Sequence, residues 1–169
     1  MLKIEFGIGH HRNLCNMNWT EYFLGIAEQV KLKSKDQSTQ IGAVVVGEGK
    51  NVLSTGYNSF PRGLDDSLQE RQERPEKYFW MEHAERNAIY NAALEGVSLK
   101  NSTIYLTSGL PCMDCARGIV NSGIKVVYCK QVCTTKNKEK WDESQSKSLQ
   151  LLNECGVKVL FYELLNLQS

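Results

Sequence analysis

Two short segments hold side chains whose types and spacing can do chemistry together. His83-Ala84-Glu85 offers an imidazole and, two residues on, a carboxylate. Pro111-Cys112-Met113-Asp114-Cys115 offers two thiols in a C-x-x-C spacing. Each segment alone is a weak signal. A lone histidine more often caps a helix or fills a core, and C-x-x-C also occurs in redox and zinc-ribbon proteins. Taken together they supply one nitrogen and two sulfur ligands. Three protein ligands with a fourth position left for water is the catalytic zinc pattern; a structural zinc is closed by a fourth ligand. Zinc can bring the pKa of its water from 15.7 to about 7, which supplies hydroxide at neutral pH. Glu85 stands about 200° round a helix from His83, so it falls off the ligand stripe. It remains close enough to accept the water's proton and pass it to a departing amine, the general acid–base role.

Both segments have to open helices that start at one edge of a sheet, and the chain is patterned to provide that. Asn18 and Glu21 read as a capping box for a helix reaching about Lys33, with Tyr22, Ile26, Ala27 and Val30 on one face. The run 41–46 is short, apolar and β-branched, as in a strand buried on both faces. Residues 47–50 form a hairpin turn, and 51–57 return as a second strand. A connection from Asn58 to Glu82 follows, long enough to be functional or partly helical. The spacing then predicts an Ala-rich helix over 83–94, a strand over 103–106, a helix over 112–122 and a strand over 125–129. A helix over 142–154 and a fifth strand over 157–161 complete the series. An opening hairpin followed by right-handed crossovers gives an α/β layered domain with a mixed sheet. In such a sheet, helix starts meet in a crevice beyond the strand ends.

Bulk properties narrow the function. The chain has 169 residues, 41% hydrophobic and 23% charged, fitting one globular domain over 1–169 with its core at about 19–161. No apolar run approaches the ~20 residues that span a bilayer, and residues 1–6 lack the apolar stretch of a secretory signal, so a cytoplasmic location and no membrane partner are expected. The net charge is +1 and the chain ends without a basic tail, which argues against a polynucleotide partner. Lys136, Lys138 and Lys140 cluster around Glu139 and read as a solvated loop rather than a phosphate patch. There are six cysteines; Cys129 and Cys155 lie in or beside apolar runs and are expected in the core. His10, His11 and Cys15 are the other cluster of ligand-type residues and read as N-terminal surface.

H-x-E paired with P-C-x-x-C is the signature of zinc nucleobase deaminases. Over roughly 19–161 the chain resembles the deoxycytidylate deaminases of the cytidine deaminase superfamily. The carrying segments are SKDQSTQIGA (34–43), GYNSFPRG (56–63), HAERNAI (83–89), PCMDCA (111–116) and SGIK (122–125). The zinc motifs are shared by the whole superfamily; the Ser-Lys-Asp and Gly-Tyr-Asn segments favour the deoxycytidylate branch. The resemblance implies a three-layer α-β-α cytidine deaminase-like fold with a mixed five-stranded sheet. It implies the reaction dCMP plus water to dUMP plus ammonia, feeding thymidylate synthesis, with one catalytic Zn2+ per chain. Asn58 would meet the sugar 3′-hydroxyl, with Lys35, Ser38, Thr39 and Ala84 near the substrate. Relatives of this kind are homohexamers, activated by dCTP with Mg2+ and inhibited by dTTP, which places Asn58, Arg62 and Gly63 at a regulatory site; a viral member would work in the host cytoplasm. Two positions depart from the pattern: Ser59 stands where glycine is common, and Leu94 where some regulated relatives carry arginine. The 58–82 segment lacks the Cys and His that hold a second zinc in some viral relatives. Two other readings stay open: a deaminase acting on a base in tRNA or single-stranded DNA, which needs a basic track for the backbone, and a zinc-bound regulatory module without catalysis, whose cheapest sign, loss of the carboxylate, is absent because Glu85 is present.

Overall fold

A computed structural model describes residues 17–131 and 138–162. His10, His11, Cys15, Cys133 and Lys136 lie outside the described residues. The elements run α1 (Trp19–Lys31), β1 (Gly42–Val46), β2 (Val52–Tyr57), a 3-10 turn (Gln69–Gln72), α2 (Lys77–Trp80), α3 (Ala84–Leu94), β3 (Thr103–Leu106), α4 (Met113–Asn121), β4 (Val126–Lys130), α5 (Lys138–Glu154) and β5 (Lys158–Tyr162). The five strands form one mixed sheet in the order β2-β1-β3-β4-β5. β1 is antiparallel to both β2 and β3, whereas β3, β4 and β5 are mutually parallel.

Helices cover both faces of the sheet, as the three-layer expectation requires. Every residue of β1 is buried. Val44 and Val46 face α1, packing with Phe23, Ala27 and Tyr105. Ala43 and Val45 face the other way, into a core shared with Ala84 and Ala88 of α3, Ile119 of α4 and Leu152 of α5. A strand sandwiched in this way has no polar face, which is why its sequence is an unbroken apolar run. The capping box forms, with Asn18 accepting from the Glu21 N–H and Glu21 from the Asn18 N–H. On the expected face of α1, Ile26, Ala27 and Val30 pack inward, but Phe23 takes the place of Tyr22, which is exposed and packs edge-on against Trp19 and Phe23. Cys129 is buried as expected, but Cys155 is exposed, because α5 ends at Glu154 and Cys155 sits in the turn before Gly156, whose φ is +70°.

Two glycines let helices sit directly on strands. A Cβ on Gly56 would lie 2.3 Å from both the Ala84 carbonyl oxygen and the Ala88 nitrogen. On Gly42 it would lie 2.1 Å from the Ala27 carbonyl oxygen. Side chains then fasten α3 to β2. Ser54 donates to the Ala88 carbonyl (2.6 Å), Asn87 to that of Tyr57 (2.8 Å) and Asn91 to that of Thr55 (2.7 Å). The helix that begins beside His83 is therefore held against the sheet by close contact and by hydrogen bonds.

Candidate active site

His83 and Cys112 are not the first helical residues but the N-caps of α3 and α4, both in extended backbone. Neither ring nor thiol caps its own helix, so both are free for other partners. Cys115 follows within the first turn of α4 and is fully buried. Each cysteine sulfur lies 3.5 Å from His83 Nδ1, and the three ligand atoms all fall within 4.8 Å of one another. Zinc bonded to sulfur at ~2.3 Å and nitrogen at ~2.0 Å in tetrahedral geometry separates neighbouring S and N ligands by about 3.5 Å. The donor set and its spacing thus fit zinc. Among the described residues no other group of three such side chains is close enough to hold a metal.

The three side chains of the cluster compete for protons. Hydrogen bonding with Cys115 and with His83 brings the Cys112 thiol down to about 3 against the opposing effect of burial. Cys115 is pushed up by sharing with Cys112 and by burial. The bond to Cys112 raises His83, while burial opposes it. Two sulfurs and a ring held together without a metal must share their protons, and a divalent cation relieves that competition.

Glu85, in the first turn of α3, is 4% exposed. Burial pushes its carboxyl up, and the His83 charge beside it pulls the other way. A buried carboxyl held above its ordinary range is suited to gaining and releasing a proton. The two motif segments are also joined at their rim. Glu82 accepts from the His83 N–H (2.9 Å) and from Arg86 Nε (2.5 Å), Arg86 reaches Asp114 of α4 at 3.4 Å, and Asp114 pairs with Arg117. On the other side, the buried Ser148 of α5 donates to the Pro111 carbonyl (2.7 Å), fixing the start of the C-x-x-C segment.

The remaining candidates fall into three environments. Asn58 is buried, with its amide fully engaged: Nδ2 donates to the Thr39 carbonyl (2.6 Å) and to Asp36 (3.3 Å), and Oδ1 accepts from the Ile41 N–H and the Ser34 hydroxyl, each at 2.7 Å. It holds Thr39 directly, and Ser38 through Asp36, in one loop with it. Ala84 is fully buried in the core, with its carbonyl packed against Gly56. Lys35, Arg62 and Gly63 line a separate cavity of about 390 Å³ with Tyr57, Asp66 and Tyr90; none of the three metal-type ligands lines it. There Lys35 pairs with Asp66 (2.9 Å), Arg62 donates to Asn91, and Gly63 has φ +82°. Asp36, Lys77 and Ser148 were not singled out from the sequence. A lone polar residue in a loop or helix carries no sign that it will be buried.

Comparison with known proteins places the chain. The sequence model for the cytidine and deoxycytidylate deaminase zinc-binding region matches residues 17–131. An uncharacterized deaminase in the luxG 3′ region of Aliivibrio fischeri is 36% identical over 146 residues, covering 86% of this chain and 95% of that protein. A probable deoxycytidylate deaminase of Caenorhabditis elegans is 41% identical over 109 residues, covering 63% of this chain; the match spans about half of that relative, 54% of its length. In three dimensions, the dCMP deaminase of cyanophage S-TIM5 in complex with dCMP and dUMP aligns with a TM-score of 0.65 at 26% identity, over 84% of this chain and 95% of that one. The geometry of His83, Cys112 and Cys115 and the match across 17–131 lead to one assignment: this chain belongs to the cytidine and deoxycytidylate deaminase zinc-binding family.

Proposed function

We propose that this chain hydrolyses free dCMP to dUMP and ammonia, supplying dUMP for thymidylate synthesis. The observation that carries the reading is one nitrogen and two sulfurs gathered at two helix starts, with a buried carboxylate two residues from the nitrogen. His83, Cys112 and Cys115 would hold one zinc, which when bound supplies an activated water at neutral pH. Glu85 accepts a proton from that water and delivers it to the amine leaving C4 of cytosine. Ala84, between ligand and carboxylate, would stand behind the base. Asn58, Ser38 and Thr39 receive the sugar and phosphate end, Asn58 exchanging one of its internal bonds for the 3′-hydroxyl; Lys35, which lines the separate cavity, belongs with that site.

The cavity at Arg62 and Gly63 suits a regulatory triphosphate. Lys35 and Arg62 line it together with Asp66 and Glu82, and of these the Arg62 guanidinium is the group that matches phosphate oxygens. dCTP with Mg2+ would activate and dTTP inhibit, in a homohexamer. Asn58 begins the segment that lines this cavity, so one stretch of chain touches both sites. The test is ammonia release from dCMP, dCTP, deoxycytidine and a cytosine-bearing oligonucleotide, each with and without dCTP or dTTP. The expected result is turnover of dCMP alone, raised by dCTP and lowered by dTTP. Preference for the oligonucleotide would overturn the free-nucleotide reading; indifference to both triphosphates would end the regulatory one.

A further inference from the structure

The loop before β1 owes its shape to one buried carboxylate. Asp36 Oδ1 accepts from the Ser38 N–H (2.8 Å), the Ser38 hydroxyl (2.9 Å) and the Thr39 N–H (3.0 Å). Its Oδ2 accepts from Lys77 Nζ at 2.7 Å, and the same ammonium donates to the Ser38 hydroxyl at 2.7 Å. The side chains of the pair are 6% and 5% exposed. Lysine is almost never buried unless paired, and taking both charges out of water is costly, so stability alone is a poor reason for this pair. Lys77 comes from α2, in the middle of the long connection between β2 and α3. The ends of that connection are pinned by the Ser59 and Glu82 backbones (3.1 and 2.8 Å), and Glu82 directly precedes His83. A second tie runs the same way: Gln72 donates to the Lys35 carbonyl (2.9 Å). The connection is thus a brace between the zinc motif and the loop that carries Lys35, Ser38 and Thr39.

We propose that Lys77 is a positioning residue for nucleotide binding: through Asp36 and Ser38 it holds the Ser34–Thr39 loop and the Asn58 amide in the shape that receives the sugar end of the substrate. The inference rests on the dCMP reading above. Lys77 does not itself touch substrate, since it is sealed from solvent. Its work is preorganisation: a loop already ordered does not have to be ordered by the nucleotide.

The experiment uses the zinc-loaded full chain. Lys77→Met keeps the length of the side chain and removes its charge. Asp36→Asn combined with Lys77→Met removes both charges, so no carboxylate is left buried without its partner. Freezing even one backbone residue is worth roughly a tenfold change in binding, so both variants should raise KM for dCMP about tenfold or more. Zinc content and kcat should stay near wild type, and hydrogen exchange at the Ser38 and Thr39 amides should quicken about tenfold. The double variant should regain thermal stability lost in the single one while keeping the raised KM. If Lys77→Met does not fold, the double variant decides. Wild-type KM together with wild-type exchange at residues 38 and 39 would overturn the proposal. If the wild type itself does not turn over dCMP, the substrate reading has failed, and exchange at those two amides still decides whether Lys77 orders the loop.

Discussion

At the scale of single residues, the proposed function rests on four side chains given two jobs. His83, Cys112 and Cys115 are grouped closely enough to hold a metal, and Glu85 is proposed to move protons beside them. Replacing Glu85 by glutamine keeps size and shape but removes the proton acceptor. The expected outcome is a full complement of zinc by elemental analysis with turnover reduced by at least ~10²–10⁴-fold, the range general acid–base catalysis supplies. Zinc lost from that variant would make Glu85 a ligand. The grouping of His83, Cys112 and Cys115 was legible in the sequence because its spacing is itself chemical: H-x-E and C-x-x-C put particular atoms at helix starts whatever the rest of the chain does. The buried network centred on Asn58 was not legible, because its partners Ser34, Asp36, Thr39 and Ile41 come from a loop 17 to 24 residues earlier.

At the scale of elements, the site depends on how closely α3 lies on β2. The approach is possible because Gly56 has no side chain, and Ala84, Ala88 and Ala92 present a face of single methyls to the core. Gly56→Ala would drive a methyl into the backbone of α3, where nothing can rotate away. Overpacking of this kind costs typically 1–3 kcal/mol, so we expect a lowered Tm in thermal unfolding together with weaker zinc retention, since the displaced helix carries His83. An unchanged Tm would mean that α3 is not seated as described. Strands and helices were well marked in the sequence where a local pattern decides them: the run 41–46, the capping box at Asn18, the glycines ending α4 and α5. Tyr22 was misplaced because Tyr22 and Phe23 are adjacent aromatics, and one step along a helix turns the face by about 100°. The connection 58–82 was legible as partly helical, but not where its helical pieces fall. Its 3-10 turn and α2 are held by Lys77 and Gln72 reaching distant partners, and such tertiary ties leave no periodicity to read.

At the scale of the whole molecule, the mixed sheet brings the starts of α3 and α4 together at one edge, and α5 braces the second of them through Ser148. The layered architecture followed from the alternation of strands and helices, which parallel β3, β4 and β5 require. The order of strands, with β1 between β2 and β3, came from the structure, since apolar runs do not state their neighbours. The central claim is that the chain deaminates dCMP only with one zinc held by His83, Cys112 and Cys115. The most direct measurement strips the metal with a chelator, titrates zinc back, and follows ammonia and dUMP formed from dCMP. The account predicts no turnover in the metal-free protein and a linear recovery that breaks at one zinc per chain. Full activity without metal, or none from dCMP with the site filled, would contradict it.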